Sequence, residues 1–309
     1  MSEEIRLASR RSRLALAQST LVAEKVTELT GRPVRIVEVV SEGDRSQAPL
    51  TEIGGTGVFV TAVREALRNG EADLAVHSLK DLPTAAAPGI TLAAVPRRED
   101  PRDVLCAAGA TLADLPAGAR IGTGSPRRVA QLVLARPDLQ PVEIRGNLDT
   151  RLGRVGDDLD AVVVAAAGIA RLGAAGAAQP VPLPVETMLP APGQGALAVE
   201  VATACDDAGL LAALAQLDDA ATRAAVIAER ELLAALEAGC SAPVGALALT
   251  HEPKYWEPEV YLRGGIFARG SCIRMSVTGA AGAAAEVGRE LAARLLAAGG
   301  AGLLSESMK

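Results

Sequence analysis

The sequence predicts two α/β lobes followed by a small α+β domain. Three features predict it. Over the first two thirds of the chain, β-branched stretches alternate with amphipathic ones, the pattern of strand–helix units around mainly parallel sheets. Two breaks interrupt that pattern: the charged run Arg97-Arg98-Glu99-Asp100-Pro101-Arg102-Asp103, and Pro190-Ala191-Pro192-Gly193-Gln194-Gly195. They read as crossings where the chain leaves one lobe and comes back, with hinges that would let a cleft open and close. The C-terminal part reads instead as one helix, three successive strands and a closing helix. A length of 309 residues suits this division. The expected domains are 1–96 with 196–215, then 101–190, then 218–309.

The elements follow in order. Residues 4–8 read as a short strand and 12–29 as a helix whose Leu14, Ala17, Leu21 and Val26 share a face. The β-branched stretch 34–40 follows Pro33 and reads as a strand. A helix over 58–68 is closed by Gly70. Brief apolar strands are expected at 74–77 and 90–95. The second lobe repeats the alternation, with strands at 104–107, 120–122, 142–145 and 161–165 and helices starting at Pro126 and Leu148. The proline-rich stretch 179–184 reads as irregular, and 196–201 as an apolar strand. Asp219 suits the cap of a long helix through Ala238, ended by Gly239. Strands at 244–250, 259–267 and 271–278 and a helix over about 281–298 complete the chain. The Ala/Gly-rich tail near 299–302 reads as a loose turn.

Composition excludes several function classes. The formal net charge is −6 and aromatic residues make up 2% of the chain, so the broad basic face and stacking rings of a nucleic-acid domain are not expected. No apolar run is long enough to span a membrane. The start of the chain carries Glu3, Glu4 and Arg6 and runs straight into a strand, unlike a signal peptide, so a cytoplasmic location is expected. Cys106, Cys205, Cys240 and Cys272 show no metal-site or redox spacing.

In this acidic chain two arginine clusters stand out: Ser125-Pro126-Arg127-Arg128, and Arg145-Gly146-Asn147-Leu148-Asp149-Thr150-Arg151. Both sit where a helix should begin, with Ser125 and Asn147 as candidate caps and Pro126 at the first helical position. Cations in a first turn oppose the helix dipole unless an anion comes to them. Backbone N–H groups with guanidinium forks suit a carboxylate or phosphate, although no glycine-rich phosphate loop is present. The same residues also suit a solvated helix face paired with Asp138, Asp149 or Asp157. Arg10, Arg11 and Arg13 repeat the cationic helix start.

Two further features could carry chemistry. In Val76-His77-Ser78-Leu79-Lys80-Asp81-Leu82-Pro83 a strand ends on polar residues, where ligands gather in open α/β sheets. Asp81 could act as a general acid or base or stabilise a cation, or be a turn aspartate paired with Lys80. Cys240 follows a helix end, the negative end of the dipole, which disfavours a thiolate nucleophile. Only His77 and His251 exist, and neither is near it in sequence, which disfavours a cysteine hydrolase. A thiol modified once and left modified remains open.

Together these segments resemble the porphobilinogen deaminase (hydroxymethylbilane synthase) family. The resemblance rests on Ala8-Ser9-Arg10-Arg11-Ser12, Gly54-Gly55-Thr56-Gly57-Val58-Phe59, His77-Ser78-Leu79-Lys80-Asp81-Leu82-Pro83, Gly122-Thr123-Gly124-Ser125-Pro126-Arg127-Arg128, Arg145-Gly146-Asn147 with Thr150-Arg151, Gly193-Gln194-Gly195-Ala196 and Gly239-Cys240, collinear over nearly the whole chain.

The resemblance implies two periplasmic-binding-protein-like (type II) α/β domains around a cleft and a small α+β third domain. It implies a monomeric transferase that joins four porphobilinogen molecules into hydroxymethylbilane with release of ammonia. One dipyrromethane per chain, held by a thioether to Cys240, would prime the reaction. Asp81 matches the catalytic aspartate. Ser78, Lys80, Thr123, Ser125, Arg127, Arg128 and Gly146 match cofactor contacts, and Arg10, Ser12, Arg145, Arg151, Arg171 and Gln194 substrate contacts; no metal is implied. Thr56 and Thr61 stand where many members carry lysines, and Ala238 replaces the first glycine of the usual Gly-Gly-Cys. The rival reading is a two-lobed anion sensor or solute-binding module, which the first two domains alone would permit.

Overall fold

The computed structural model describes residues 4–39, 57–174, 179–238, 242–251 and 257–307. The chain parts into two compact units, Met1–Arg98 with Ala196–Arg223, and Glu99–Gly195 with Ala224–Lys309.

The first unit is built from strands β1 (Ile5–Arg10), β2 (Val34–Val39), β3 (Leu74–Ser78), β4 (Ile90–Ala94) and β10 (Leu197–Ala202), in the sheet order β2-β1-β3-β10-β4. β1 lies parallel to β2 and β3, and β10 antiparallel to β3 and β4. The strand period of two sorts the side chains. Ile5, Leu7, Leu74, Val76 and Val199 share a core with Val22 and Val26 of helix α1 (Arg13–Thr30) and with Leu210 and Leu214 of α6 (Ala208–Leu217). Ala8 and Ala75 pack instead with Val63, Ala66 and Leu67 of α2 (Gly57–Arg68). Burying one such Leu or Val contributes roughly 1.5–3 kcal/mol. α1 is capped by Ser12, whose hydroxyl accepts from Ala15 N–H at 3.2 Å, and ends at Gly31 with φ 68°. A left-handed residue there favours glycine.

Among the described residues, one carboxylate lies inside this unit. Glu200 on β10 is buried; Arg64 of α2 grips it from Nε at 2.8 Å and Nη2 at 2.6 Å, and His77 Nε2 lies 3.3 Å from its Oε2. Burial pushes the Glu200 carboxyl up, but the Arg64 hydrogen bonds and the neighbouring His77 imidazole outweigh it and hold the group at about 2. A carboxyl depressed from its ordinary 4.5 stabilises the fold above that value and ceases to as pH falls through the folded one. The stability difference between the native chain and Glu200→Gln should therefore be widest above about pH 4.5 and close as pH falls towards 2. Unfolding free energies of both chains across that range measure it, and a gap indifferent to pH would contradict it.

The second unit repeats the connectivity. Strands β5 (Asp103–Cys106), β6 (Arg120–Gly122), β7 (Gln140–Val142), β8 (Ala161–Ala165) and β9 (Val181–Pro182) form a sheet in the order β7-β6-β8-β5-β9. β6 is parallel to β7 and β8, and β5 antiparallel to β8 and β9. In each sheet the strand that runs against its neighbours, β10 or β5, is the first strand after one of the two breaks. One face packs Leu105, Ile121 and Val163 with Leu132 of α3 (Pro126–Ala135); the other packs Val104, Val162 and Val164 with Ile169 of α5 (Ala166–Leu172).

The C-terminal part is an antiparallel meander, β11 (Val244–His251), β12 (Glu259–Ala268) and β13 (Ser271–Ala280), packed with α7 (Ala220–Ala235), α8 (Ala284–Ala297) and α9 (Gly300–Ser307). Leu232, Leu262, Ile266, Leu291 and Leu295 form its core. A Cβ at Gly288 of α8 would lie 2.4 Å from Ala228 O of α7, so glycine sets how closely these two helices approach. Phe267 and Leu247 join Ala130 and Leu189 in a separate cluster that ties the meander to α3. Among the described residues no helix is long and apolar enough to cross a membrane.

Several elements differ from the sequence pattern. Of the stretch 299–302, Gly299 does turn, with φ 98°, but 300–302 open a helix, whose Leu303 and Leu304 pack on the C-terminal core. The strand expected at 142–145 is β7, ending at Val142; β6, its only ladder partner among the described residues, ends at Gly122, and Ile144 turns into the core instead. Helix α7 stops at Ala235, and Glu237 takes a left-handed φ of 51°. Helices α5 and α6 were not marked by the pattern, since alanine-rich segments offer little hydrophobic contrast.

Candidate functional site

In the first unit the candidate residues gather at one sheet edge. β1 and β3 are adjacent and parallel, so Arg10 and Ser78 both end their strands at the carboxyl edge, the usual ligand edge of such sheets. Ser12 caps α1 from there. Beyond Ser78 a single 3-10 turn, Leu79–Asp81, carries Lys80 and the half-buried Asp81. The turn hangs from its neighbour through Leu79 N–H, which donates to Ala196 O at 3.0 Å. Ser78 Oγ exchanges hydrogen bonds with the buried Gln18 amide of α1. Arg11 pairs with Glu38 at 2.9 Å.

In the second unit the same logic applies to β6, β7 and β8. Thr123 follows β6; its N–H donates to Val142 O, and its hydroxyl accepts from Ser125 N–H at 3.2 Å. Ser125 occupies the N-cap position of α3, yet its side chain makes no capping hydrogen bond, contrary to expectation; Pro126 at the next position has no N–H, and the Ser125 carbonyl accepts from Val129. Asn147 does cap α4 (Leu148–Leu152), accepting from Thr150 N–H at 2.9 Å. Gly146 has φ +95°, where a Cβ would meet the Thr150 side chain at 2.9 Å, so glycine is required there. Its carbonyl accepts from Arg151 Nε at 2.9 Å. Arg145 is exposed, and its Nε lies 4.0 Å from Glu143.

Arg127 and Arg128 are not on a solvated face. Both are buried and converge on the fully buried Asp103 at the start of β5. Arg127 Nη1 donates to Asp103 Oδ2 at 2.8 Å and to Leu189 O at 2.5 Å. Arg128 donates to Asp103 Oδ1 from Nε at 3.0 Å and Nη2 at 2.7 Å, and from Nη1 to Val163 O. Gln194 is buried on the same carboxylate, 2.9 Å from Oδ1, and also donates to Pro101 O. Burial raises the Asp103 carboxyl, and the two guanidinium charges overcome this and hold it far below the usual carboxylate range. Asp138, a candidate partner of these arginines by sequence, pairs with Arg136 instead. Arg171 of α5 donates to Gly195 O at 2.6 Å; burial pulls its guanidinium down, opposed by Glu99. Gly195, at φ +90°, has no room for a Cβ beside Glu99 O.

Asp103 is the residue that the motifs leave out. Its only signal is its place at the end of a charged break just before an apolar strand. Cys240, Gly239 and Thr56, with Gly54 and Gly55, lie outside the described residues. Thr61 is exposed on α2, and Ala238 packs against the C-terminal core.

A family model for the porphobilinogen deaminase dipyrromethane cofactor binding domain matches residues 5–210, and one for the porphobilinogen deaminase C-terminal domain matches 223–297. Porphobilinogen deaminase 1 of Streptomyces coelicolor is 56% identical over 314 residues, covering 98% of this chain and 98% of the relative. The porphobilinogen deaminase of Thermobifida fusca is 59% identical over 245 residues, covering 79% and 76%, and that of Mycobacterium bovis 50% over 304 residues, covering 96% of each. Among solved structures, a periplasmic substrate-binding protein of an ABC transporter from Coxiella burnetii aligns at 16% identity and a TM-score of 0.43 over 69% of this chain and 91% of that one.

Proposed function

The chain belongs to the porphobilinogen deaminase family, and from that premise we propose how its residues share the work of the family's reaction. That reaction is a transfer in tetrapyrrole biosynthesis: four porphobilinogen molecules are joined head to tail, one ammonia leaves at each condensation, and hydroxymethylbilane is released. The dipyrromethane supplies, when bound, the pyrrole end on which the chain is started. The residues present fit that group. Each of its pyrroles bears an acetate and a propionate, and Arg127 and Arg128 share one protein carboxylate, Asp103, leaving positive charge in excess. This surplus is the observation that carries the assignment.

In this reading Arg127, Arg128, Thr123, Ser125, Gly146, Ser78 and Lys80 hold the dipyrromethane, and Cys240 anchors it through a thioether. Arg10, Ser12, Arg145, Arg151, Arg171 and Gln194 serve the substrate. Guanidinium forks suit its carboxylates because they donate two parallel hydrogen bonds. Asp81 is the catalytic residue. It helps protonate the departing amine, balances the azafulvene cation through the pyrrole N–H as the C–N bond breaks, and takes up the proton lost when the new C–C bond forms and the ring rearomatises. The enzyme works as a cytoplasmic monomer without nucleic acid or metal. We count three domains, 1–96 with 196–215, 101–190 and 218–309; the clusters around the second sheet share no residue with the core of the C-terminal meander.

Intact-mass measurement tests the anchor. The native chain should carry a surplus of two pyrrole units, and Cys240→Ser should lack it. A native chain with the bare sequence mass and no turnover of porphobilinogen would overturn the reading.

A further inference from the structure

We propose that Glu200, Arg64 and His77 are positioning residues for the reaction, fixing the end of β3 from which the turn with Lys80 and Asp81 projects. The inference rests on the assignment of Asp81 as the catalytic residue.

Four observations lead to it. First, the group is out of pattern: Leu74, Ala75 and Val76 fill β3 with apolar side chains, and then His77 turns a buried imidazole onto a buried carboxylate. A buried ion pair is seldom the most stable filling of such a space, since desolvating the charges offsets most of their attraction, and an apolar set of similar volume does as well. What an ion pair adds is direction. Second, the strand's own alternation aims the carboxylate: Leu197, Val199 and Val201 face the core shared with α1, which sends Glu200 to the opposite face, where Arg64 of α2 meets it. Third, the carboxylate is gripped by Arg64 and faces His77. Arg64 grips both oxygens with a two-pronged fork at 2.8 and 2.6 Å, leaving His77 at 3.3 Å from Oε2. The helix α2 and the strand β10 are thereby tied at one point, and the buried His77 imidazole of β3 lies against that point without a hydrogen bond from Nε2. Fourth, the opposite side of the strand end is tied as well. Ser78 is bonded to Gln18, and Leu79 N–H to Ala196 O. Strand ends fray unless held, and here the Gln18 side chain holds Ser78, the Ala196 carbonyl holds Leu79, and the Arg64–Glu200 pair lies against His77 on the other face. The turn that follows is three residues long, so an error at His77 passes to Asp81 with little chain in which to relax. Misplacing a catalytic group by about 1 Å can lower the rate on the order of a hundredfold.

The test compares Glu200→Gln, Asp81→Asn and the native enzyme, each loaded with its dipyrromethane as verified by intact mass, with rates expressed per loaded chain. For Glu200→Gln the expected result is a kcat lower by roughly tenfold or more with KM for porphobilinogen changed by less than about twofold and the pyrrole surplus retained. The double variant with Asp81→Glu should lose less than the product of the two single losses, since both displace the same carboxylate. If Glu200→Gln does not accumulate as folded protein, His77→Gln, which takes the imidazole off the same carboxylate, is read in the same way. A native kcat per loaded chain would overturn the inference. So would a loss confined to thermal stability, or losses that multiply independently with Asp81→Glu. Should Asp81→Asn itself turn over normally, the underlying assignment of Asp81 fails; an inactive Asp81→Asn beside an unaffected Glu200→Gln rejects the positioning role alone.

Discussion

Asp81→Asn is expected to keep the dipyrromethane and to lower porphobilinogen turnover by at least about a hundredfold, the usual range for a lost general acid–base group. Asparagine has nearly the same shape as aspartate and still makes hydrogen bonds. It cannot take up the proton released on rearomatisation, and it places no negative charge beside the cation formed when ammonia leaves. The loss should therefore appear in kcat, with KM for porphobilinogen little altered, because an interaction made mainly in the transition state is the one removed. The position of Asp81 favours a clean experiment. It lies on a three-residue turn at the sheet edge, half-buried rather than in the core. The fold should tolerate the change, and intact mass establishes that the covalent group remains. Near-native turnover by a chain that carries the two-pyrrole surplus would reject the role.

How far the sequence foretold this site depends on the kind of signal each residue leaves. Strand ends and helix starts are local, so the edge formed by Arg10, Ser78 and Asp81 and the cap by Asn147 could be read from neighbours in the chain. The conflict of Arg127 and Arg128 with the helix dipole was also legible, and it correctly demanded an anion. Which anion was not legible. Part of the answer is Asp103, more than twenty residues upstream, in a run of alternating charge that looks like any solvated break; the burial of its carboxylate depends on tertiary packing. Gln194 has the same difficulty, since a glutamine between two glycines announces a turn and not a buried donor to Asp103. The helices α5 and α6 were hidden by composition, because alanine on all sides erases the contrast between faces. Glu200 sits in an apolar strand whose alternation gives no hint of a partner, and its partners Arg64 and His77 come from other elements.

Asp103→Asn should be among the most destabilising single changes in the second unit, costing about 3–5 kcal/mol, the range for removing one partner of a buried pair. The side chain is fully buried and accepts from Arg127, Arg128 and Gln194. Asparagine fits the space but leaves two buried guanidinium groups without a counter-charge, and its own N–H groups would face other donors. Because the folded carboxyl is held far below the ordinary range, its contribution is complete above the ordinary carboxylate value and is lost only in strong acid. Hydrogen exchange of the β5 and β8 amides is the suitable measurement, since it reports the opening of this sheet rather than of the whole chain. The decisive comparison is the double variant Asp103→Asn/Arg128→Met. It removes one of the stranded cations along with the carboxylate, so it should be more stable than Asp103→Asn alone even though it carries an additional change. Strictly additive losses would show that the two side chains are not energetically coupled. The same pair then bears on the cofactor. With Asp103 gone, the two cations lose the acceptor that orients their forks, so dipyrromethane loading should fall even among chains that fold. Unchanged loading would mean that Arg127 and Arg128 need no protein carboxylate to present themselves to the carboxylates of the bound group.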